Sequence, residues 1–431
     1  MQTIYALSTA YGKSGVAIIR VSGDNAKKAL ELTNIKNIKP RYAYFSPIKD
    51  GDEVLDNALV LYFNAPHSFT GEDIVEFQLH GSKAVISSTL EALSKIEGYR
   101  LAEAGEFSKR AFYNNKMDLT QAEGLADLID SETKAQQKQA INQTSGGLSD
   151  LYNGWREDLL GLLAHLEAFI DFPDEDIPQD VLDGTQNKVN KLIEAINKHI
   201  KSASIGERLR DGFRVAIIGK TNAGKSSLLN AIANRTVAIV SDIHGTTRDS
   251  IDVYADINGF PVIFSDTAGL RQTEDEIEKQ GIDIAKQKAK DADFVIYLFD
   301  ASTEEMPQED GLIVANKLDK ISQEEQEKLK RAGCFLISAK HNDGVVDLLN
   351  TIGEGIKDKF ESLDGNLMTR ARYKEALEEV IENLQNFSFN KEIELTTEDV
   401  RLATRGLARL TGKIEVDEIL GKIFSSFCIG K

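Results

Sequence analysis

The segment "FRVAIIGKTNAGKSSLLNAIAN" (213–234) constrains the fold of this chain more than any other. Its Phe, Val and Ile run reads as a buried strand, and the Leu, Ala and Ile spacing after Lys225 reads as a helix. Between them lies Gly219 to Ser226, a G-x-x-x-x-G-K-S turn. In such a turn successive backbone N–H groups point inward at a positive helix N-terminus and cradle phosphate oxygens. Asn222, Ala223, Gly224 and Ser227 line the cradle, Lys225 reaches the β- and γ-phosphates, and the Ser226 hydroxyl ligates Mg²⁺. A chain with this turn must build an α/β module. The strands "PVIFSD", "DFVIYLFD", "LIVANK" and "CFLIS" alternate with helical stretches behind it, which predicts a mostly parallel sheet.

Three further boxes each follow one of these strands. "DTAG" supplies the Asp266 carboxylate for the Mg²⁺ shell, and the backbone of Thr267, Ala268 and Gly269 for the γ-phosphate. "NKLD" supplies Asn316, Lys317 and Asp319, and "SAK" supplies Ser338, Ala339 and Lys340. The Asp319 carboxylate can accept two hydrogen bonds, from guanine's ring N–H and its exocyclic amino group. Adenine lacks that pair, so the site selects GTP over ATP. Asn316 is expected to buttress the phosphate loop, and the Lys317 stem to cover the base face.

The stretch "SDIHGTTRD" between the first two boxes contributes Ser241, Asp242, Ile243, His244, Gly245, Thr246 and Thr247. A threonine here closes the Mg²⁺ shell in the GTP state and lets go after hydrolysis, an order–disorder switch. Thr247 is the first choice and Thr246 the second. Leu270 stands where Ras-like enzymes carry the glutamine that orients the attacking water. Another polar group must act, and Arg271, Glu274, Glu276 and Glu278 are nearby, each acid otherwise a solvated helix start. Asn222 has two readings: its amide oxygen faces the phosphates and holds a monovalent cation, or it is an exposed loop amide.

Outside the module, "GVAIIRVSG", "NALVLYF" and "DIVEFQLHG" read as strands, and "KAVISSTLEALSKI" as a helix with Val85, Leu90, Leu93 and Ile96 in phase. From 118 the period is helical. Trp155, Leu159, Leu162, Leu163, Leu166 and Ile170 form one stripe; Val189, Leu192, Ile193, Ile196 and Ile200 form another. The acids of "DFPDEDIPQD" between them invite a metal, but a solvated loop capping two helices is the simpler reading. Helix returns over 368–431, with Leu377, Val380, Ile381 and Leu384 in phase. So short a helical tail buries too little alone. Packed against the helices of 118–208, it makes the α/β module an insertion.

Composition sets limits on partners. A net charge of −18 on 431 residues excludes a protein that coats nucleic acid non-specifically, so any RNA site is a local patch. Two cysteines exclude a disulfide framework and a cysteine-rich zinc site. No apolar run approaches the length of a membrane span, and no leader pattern opens the chain, so a cytoplasmic location is expected.

Taken whole, the chain resembles the tRNA modification GTPases of the MnmE (TrmE) family. The resemblance rests on "IIRVSG", "GEDIVEFQLHG", "AGEFSKRAFYNNKMDLTQAEGLADLID", "TNAGKSSLLNA", "IHGTTRD", "DTAGLR" and the terminal "IFSSFCIGK". It implies a multidomain fold: an α+β folate-binding and dimerisation domain over 1–117, a discontinuous helical domain over 118–208 and 358–431, and a P-loop GTPase domain over 209–357. It implies that 5-formyl- or 5,10-methylene-tetrahydrofolate meets Arg20, Glu76, Lys116 and Lys431. It implies a potassium ion held by Asn222, Ser241, Ile243 and Thr246, with Glu278 orienting the water. It implies a homodimer that joins an FAD-dependent MnmG-type partner in a heterotetramer. The pair would add a carboxymethylaminomethyl or aminomethyl group to carbon 5 of the wobble uridine of tRNA. Two departures stand out: "GKTN" where Arg-Pro is expected after the glycine, and a short "DASTEEMPQEDGLIVANK".

Arg401, Arg405 and Arg409 recur at i, i+4 and i+8 and so line one helix face, either for RNA or a partner or as a solvated face paired with acids. Cys428 is a possible redox or nucleophilic thiol or a residue that positions the tail, and Cys334 reads as core. The alternative function is a regulatory P-loop GTPase in ribosome assembly. Folate binding discriminates the two.

Overall fold

The computed structural model describes residues 2–171, 179–235, 252–266, 289–361, 365–414, 417–425 and 427–430. The chain forms two compact units: residues 1–126, 149–157 and 405–431, and residues 127–148 and 158–404. Among the described residues, no helix is long and apolar enough to cross a membrane.

The first unit holds a six-stranded sheet of β1 (Thr3–Leu7), β2 (Ser14–Ser22), β3 (Tyr44–Asp50), β4 (Glu53–Phe63), β5 (Ile74–Gly81) and β6 (Tyr99–Leu101). The order is β3-β4-β5-β2-β1-β6, antiparallel except where β6 joins β1. Along β5, Val75, Phe77 and Leu79 are buried and alternate with Glu76 and Gln78, the period-two signature of a sheet with one apolar face. That face, with Ile19, Val21 and Val60, packs against the helix Lys83–Ser94. The helix buries Ile86, Thr89, Ala92 and Leu93. The expected stripe is therefore displaced: Val85, Leu90 and Ile96 flank the core half-buried, and only Leu93 lies at its centre. On the opposite face Phe107, from the helix Glu106–Tyr113, packs on Ile4, Ala6 and Ala102.

A buried ionic chain anchors that second helix. The Arg110 guanidinium, 5% exposed, bonds the Glu72 carboxylate at 3.0 Å and the Glu106 carboxylate at 2.9 Å. Glu106 also takes Arg100 at 2.5 Å and the backbone N–H of Glu103 at 2.9 Å. Burial alone would raise the Glu106 carboxyl. The Arg100, Glu103 and Arg110 donors outweigh it and hold the group below the usual carboxylate range.

The second unit holds the α/β module. Its strands are β7 (Phe213–Ile218), β8 (Asp252–Ile257), β9 (Phe260–Asp266), β10 (Phe294–Asp300), β11 (Leu312–Asn316) and β12 (Phe335–Leu336), in the order β12-β11-β10-β7-β9-β8. All neighbours are parallel except β8 and β9. Sequence reasoning missed β8. It pairs with β9 through a two-residue Asn258-Gly259 turn with φ of 53° and 90°, the left-handed pair a tight hairpin requires. The N-G dipeptide was the available signal.

The expected helical stripes are buried in part, with Leu163, Ile170, Ile193 and Ile200 only half-buried. Trp155, Leu159, Leu162 and Leu166 are core on the helix Gly147–Asp171, as are Val189, Leu192 and Ile196 on Gln179–Lys201. Leu377, Val380, Ile381 and Leu384 are buried on the helix Ala371–Asn386, which packs on Gln179–Lys201. The returning chain before it is clamped by side chains. Gln139 Nε2 donates to the Leu367 carbonyl at 3.0 Å, Asn142 Nδ2 to that of Gly365 at 2.9 Å, and Arg370 to the Asp127 carboxylate at 2.6 Å. Most of the acidic "DFPDEDIPQD" stretch lies outside the described residues.

Candidate functional site

The sheet order fixes where a nucleotide can lie. From β7 the chain goes to β9 on one side and then to β10 on the other, so β7 is the point where the strand order reverses. Loops at the carboxyl ends of parallel strands open a crevice there. The phosphate loop leaves β7, the Asp266 backbone ends β9 in register with Ile217, Asn316 ends β11, and Ser338 follows β12. Four chain positions remote in sequence thus share one edge.

The loop Gly219–Ser226 turns through two left-handed residues, Asn222 (φ 72°) and Gly224 (φ 101°). A Cβ on Gly224 would lie 2.1 Å from Asn316 Nδ2, so no larger residue fits. The helix Lys225–Ala233 buries Leu228, Leu229 and Ile232 and presents its first turn to the loop. The Lys225 ammonium donates to the Gly219 carbonyl at 2.7 Å and the Lys220 carbonyl at 3.1 Å, which holds it over the cradle. Asn222, Ser226 and Ser227 are exposed at the mouth, and Ala223 is buried beneath.

The base boxes are joined to the phosphate loop by one side chain. Asn316 is 3% exposed; its Nδ2 donates to the Ala223 carbonyl at 2.8 Å, and its Oδ1 accepts from the Ala339 N–H at 3.1 Å. Asp319 Oδ1 accepts from the Ser338 hydroxyl at 2.7 Å, which lowers the carboxyl below its ordinary value and keeps it an acceptor. Ser338 is buried and Lys340 exposed. Lys317 sits in the left-handed region (φ 64°), with its ammonium 2.5 Å from the Asp300 carboxylate. Asp300 also accepts from the N–H and hydroxyl of Ser302 at 3.0 and 2.6 Å. Burial would raise the Asp300 carboxyl, yet these donors hold it well below the usual range. Sequence reasoning missed Asp300. The signal was an acid closing the apolar strand "FVIYLFD" at the same edge as Asp266 and Asn316.

Ser241 through Thr247, Thr267 to Gly269, Leu270 and Glu278 lie outside the described residues, as does Lys431; of Asp266 only the backbone is described.

The first unit holds Arg20, Glu76 and Lys116, three of the four residues assigned to a folate. Arg20 and Glu76 are paired across β2 and β5, with Arg20 Nε 2.8 Å from Glu76 Oε1. The Arg20 guanidinium lies 5.3 Å from the Phe69 ring centroid and 5.7 Å from that of Phe107. Lys116 Nζ donates to the Pro66 carbonyl at 2.8 Å, three residues before Phe69. The tail reaches the same neighbourhood: Ile429 bridges Ala104, and the Ser8 hydroxyl donates to the Gly430 carbonyl at 3.0 Å, just beyond the Leu7 end of β1. The Cys428 side chain is exposed, and its carbonyl accepts from the Gly105 N–H. Cys334 is buried in the apolar cluster of Phe299, Ile313 and Ala315.

The arginine face is partly neutralised. Arg401 pairs with Glu398 and, at 3.2 Å, with Glu167, whereas Arg405 is exposed.

Models of known families match nearly the whole chain: the MnmE helical domain over residues 119–428, and the GTP-binding protein TrmE N-terminus over residues 3–116. A tRNA modification GTPase MnmE of Rickettsia bellii is 45% identical over 445 residues, spanning 100% of both chains. The protein of that name from Pelagibacter ubique is 46% identical over 442 residues, again across 100% of both. Among solved structures, an Era in complex with MgGDPNP and a 16S ribosomal RNA segment is 30% identical, with a TM-score of 0.26, over 33% of this chain and 56% of its own. The G domain of the T. maritima FeoB is 24% identical, with a TM-score of 0.24, over 34% of this chain and 97% of its own.

Proposed function

The chain belongs to the MnmE family of tRNA modification GTPases, and on that premise we propose that it hydrolyses GTP in a potassium-dependent reaction that serves modification of carbon 5 of the tRNA wobble uridine. The observation that carries the nucleotide part is the Asn316 bridge between the phosphate loop and the SAK box. It supports the reading of Gly219–Ser226 as a phosphate cradle and Asp319 as a guanine-edge acceptor, because one side chain bonds the loop to the box beside Asp319. Ser226 ligates Mg²⁺ with Thr247, and Asp266 sits at its shell. Asn222 holds potassium with Ser241, Ile243 and Thr246, and Glu278 orients the water that Leu270 cannot.

In the N-terminal region, Arg20, Glu76 and Lys116 have side-chain chemistry that fits a reduced folate: a carboxylate that accepts from pterin N–H groups, cations for the glutamate tail, and the half-buried Phe69 for a ring face. Lys431 adds a further cation, and Cys428 precedes it by three positions in the sequence. The bound 5-formyl- or 5,10-methylene-tetrahydrofolate supplies the one-carbon unit. Arg20 and Glu76 orient it through their mutual bond. The chain acts in the cytoplasm as a homodimer with an FAD-dependent MnmG-type partner. Its functional division is 1–117 for folate and dimerisation, 118–208 with 358–431 for the helical frame, and 209–357 for the GTPase.

The test combines the chain with that partner, tRNA, GTP, methylene-tetrahydrofolate and potassium, and reads wobble-uridine modification by mass spectrometry. Modification is expected with the full set. Arg20→Met should lose both folate binding and modification while hydrolysing GTP normally. Modification that persists in Arg20→Met, or that needs no chain at all, overturns the proposal.

A further inference from the structure

We propose that Asp300 is a positioning residue for the guanine base, acting through Lys317. The inference rests on the guanine reading of the "NKLD" box and extends it to a residue outside the four boxes. Asp300 is the last residue of β10 and stands in register with Asn316, the last residue of β11. Its carboxylate therefore emerges beside the start of the base-recognition loop.

Three features make the pair more than a surface contact. The Asp300 side chain is 8% exposed, and a buried carboxylate is tolerated only with full compensation. That compensation comes from the Lys317 ammonium at 2.5 Å and from the N–H and hydroxyl of Ser302. Lys317 itself adopts φ 64°, a conformation unfavourable for a side chain with a Cβ, which marks a residue held for a purpose.

The chemistry explains that purpose. A lysine stem can cover a purine face only if its mobile ammonium is fixed at the far end. Asp300 fixes it and cancels its charge, so the methylene stem is what meets the base. Asp319 is meanwhile held by Ser338, so the group for the base edge and the group for the base face are each steadied by a second residue. Removing the Asp300 charge frees the stem without touching the phosphate loop or the Mg²⁺ donors. Nucleotide affinity should fall and turnover at saturation should not.

The experiment measures binding of a fluorescent GDP and steady-state GTP hydrolysis for wild type, Asp300→Asn, Ser302→Ala and Lys317→Gln, alone and in pairs. Asp300→Asn should weaken GDP binding by about tenfold, the worth of a lost charge-assisted hydrogen bond. Its KM should rise in parallel while kcat stays within about twofold of wild type. In the Lys317→Gln background the same substitution should add nothing, because the path through Lys317 is already cut. Ser302→Ala should weaken binding less, and supplies the same pairwise test if Asp300→Asn does not fold. Wild-type affinity in Asp300→Asn, a kcat that falls with KM unchanged, or equal losses with and without Lys317 would overturn the role of Asp300. A wild-type chain that binds no guanine nucleotide would instead overturn the guanine reading.

Discussion

Asn316 Nδ2 lies 2.8 Å from the carbonyl oxygen of Ala223, so the first residue of the base box is bonded to the middle of the phosphate loop, 93 residues earlier in the chain. The same side chain takes the Ala339 N–H on its other end. An amide is the one small side chain that offers a donor and an acceptor in this geometry. Aspartate has the shape but no donor for the Ala223 carbonyl, and leucine has neither.

Asn316→Ala should therefore loosen all three boxes together. Two buried backbone groups lose their partners, which costs about 1–3 kcal/mol each where water does not replace them. The expected result is faster GDP release and a lower melting temperature of the GTPase module, read by stopped-flow fluorescence and calorimetry. A variant with unchanged release would show that the bridge does not hold the loop.

Asp319→Asn tests the base edge. Asp319 Oδ1 takes the Ser338 hydroxyl and Oδ2 faces His341 Nε2 at 3.9 Å, and both oxygens keep lone pairs for guanine's two donors. GTP affinity should drop by roughly 10²-fold or more, as when a buried donor pair loses its acceptor. Xanthosine triphosphate, with a carbonyl in place of the amino group, should bind the variant better than GTP does. Equal preference would misplace the base.

Asn222 tests the cation. With φ 72° it holds the phosphate loop in a left-handed turn, and its side chain is exposed at the mouth. GTP turnover should be far faster in potassium chloride than in sodium chloride at equal ionic strength. Asn222→Ala should lose that stimulation, by roughly 10²-fold, the scale of one preorganised electrostatic group in a transition state. Equal rates in the two salts would leave an arginine, in cis or from a partner, to supply the charge.

Glu106 carries a pH dependence for the first unit. Its folded carboxyl is held below the ordinary value, so the folded state binds its proton less readily than the unfolded chain. The stabilisation is fully present above the unfolded pKa of about 4.3 and is lost as pH falls through the lower folded value. Glu106→Gln should destabilise by about 1–3 kcal/mol at pH 7, the scale of losing charge-assisted hydrogen bonds while Arg110 keeps Glu72 and Arg100 keeps water. The gap to wild type should narrow below about pH 4. A gap that is constant with pH would mean that packing, and not charge, holds the helix.

Strands and boxes were legible because they depend on local order. The run of β7, the glycines of the phosphate loop and the "NKLD" and "SAK" boxes are contiguous residues whose chemistry is complete in a few positions. Alternation along β5 was legible for the same reason: one face of a sheet repeats every two residues. The helix Lys83–Ser94 was legible as a helix but not in phase. It carries Val85, Ile86, Leu90, Ala92 and Leu93, with Ile96 just beyond its end, enough apolar residues for two overlapping stripes. Contact with the sheet selected Ala92 and Leu93, and Ile86 is buried on the same helix.

The amino-acid sequence by itself determined most element types, the mostly parallel module, the guanine-nucleotide chemistry and the family, because each is written in spacing along the chain. Only the tertiary structure decided which groups hold those residues in place. Asp300 beside Lys317, Asn316 beneath Ala223, Arg110 with Glu72, and Arg20 with Glu76 are pairings across strands and loops. Their energies depend on burial and on distances of about 3 Å between groups, and no local pattern encodes a distance between residues that the chain itself separates.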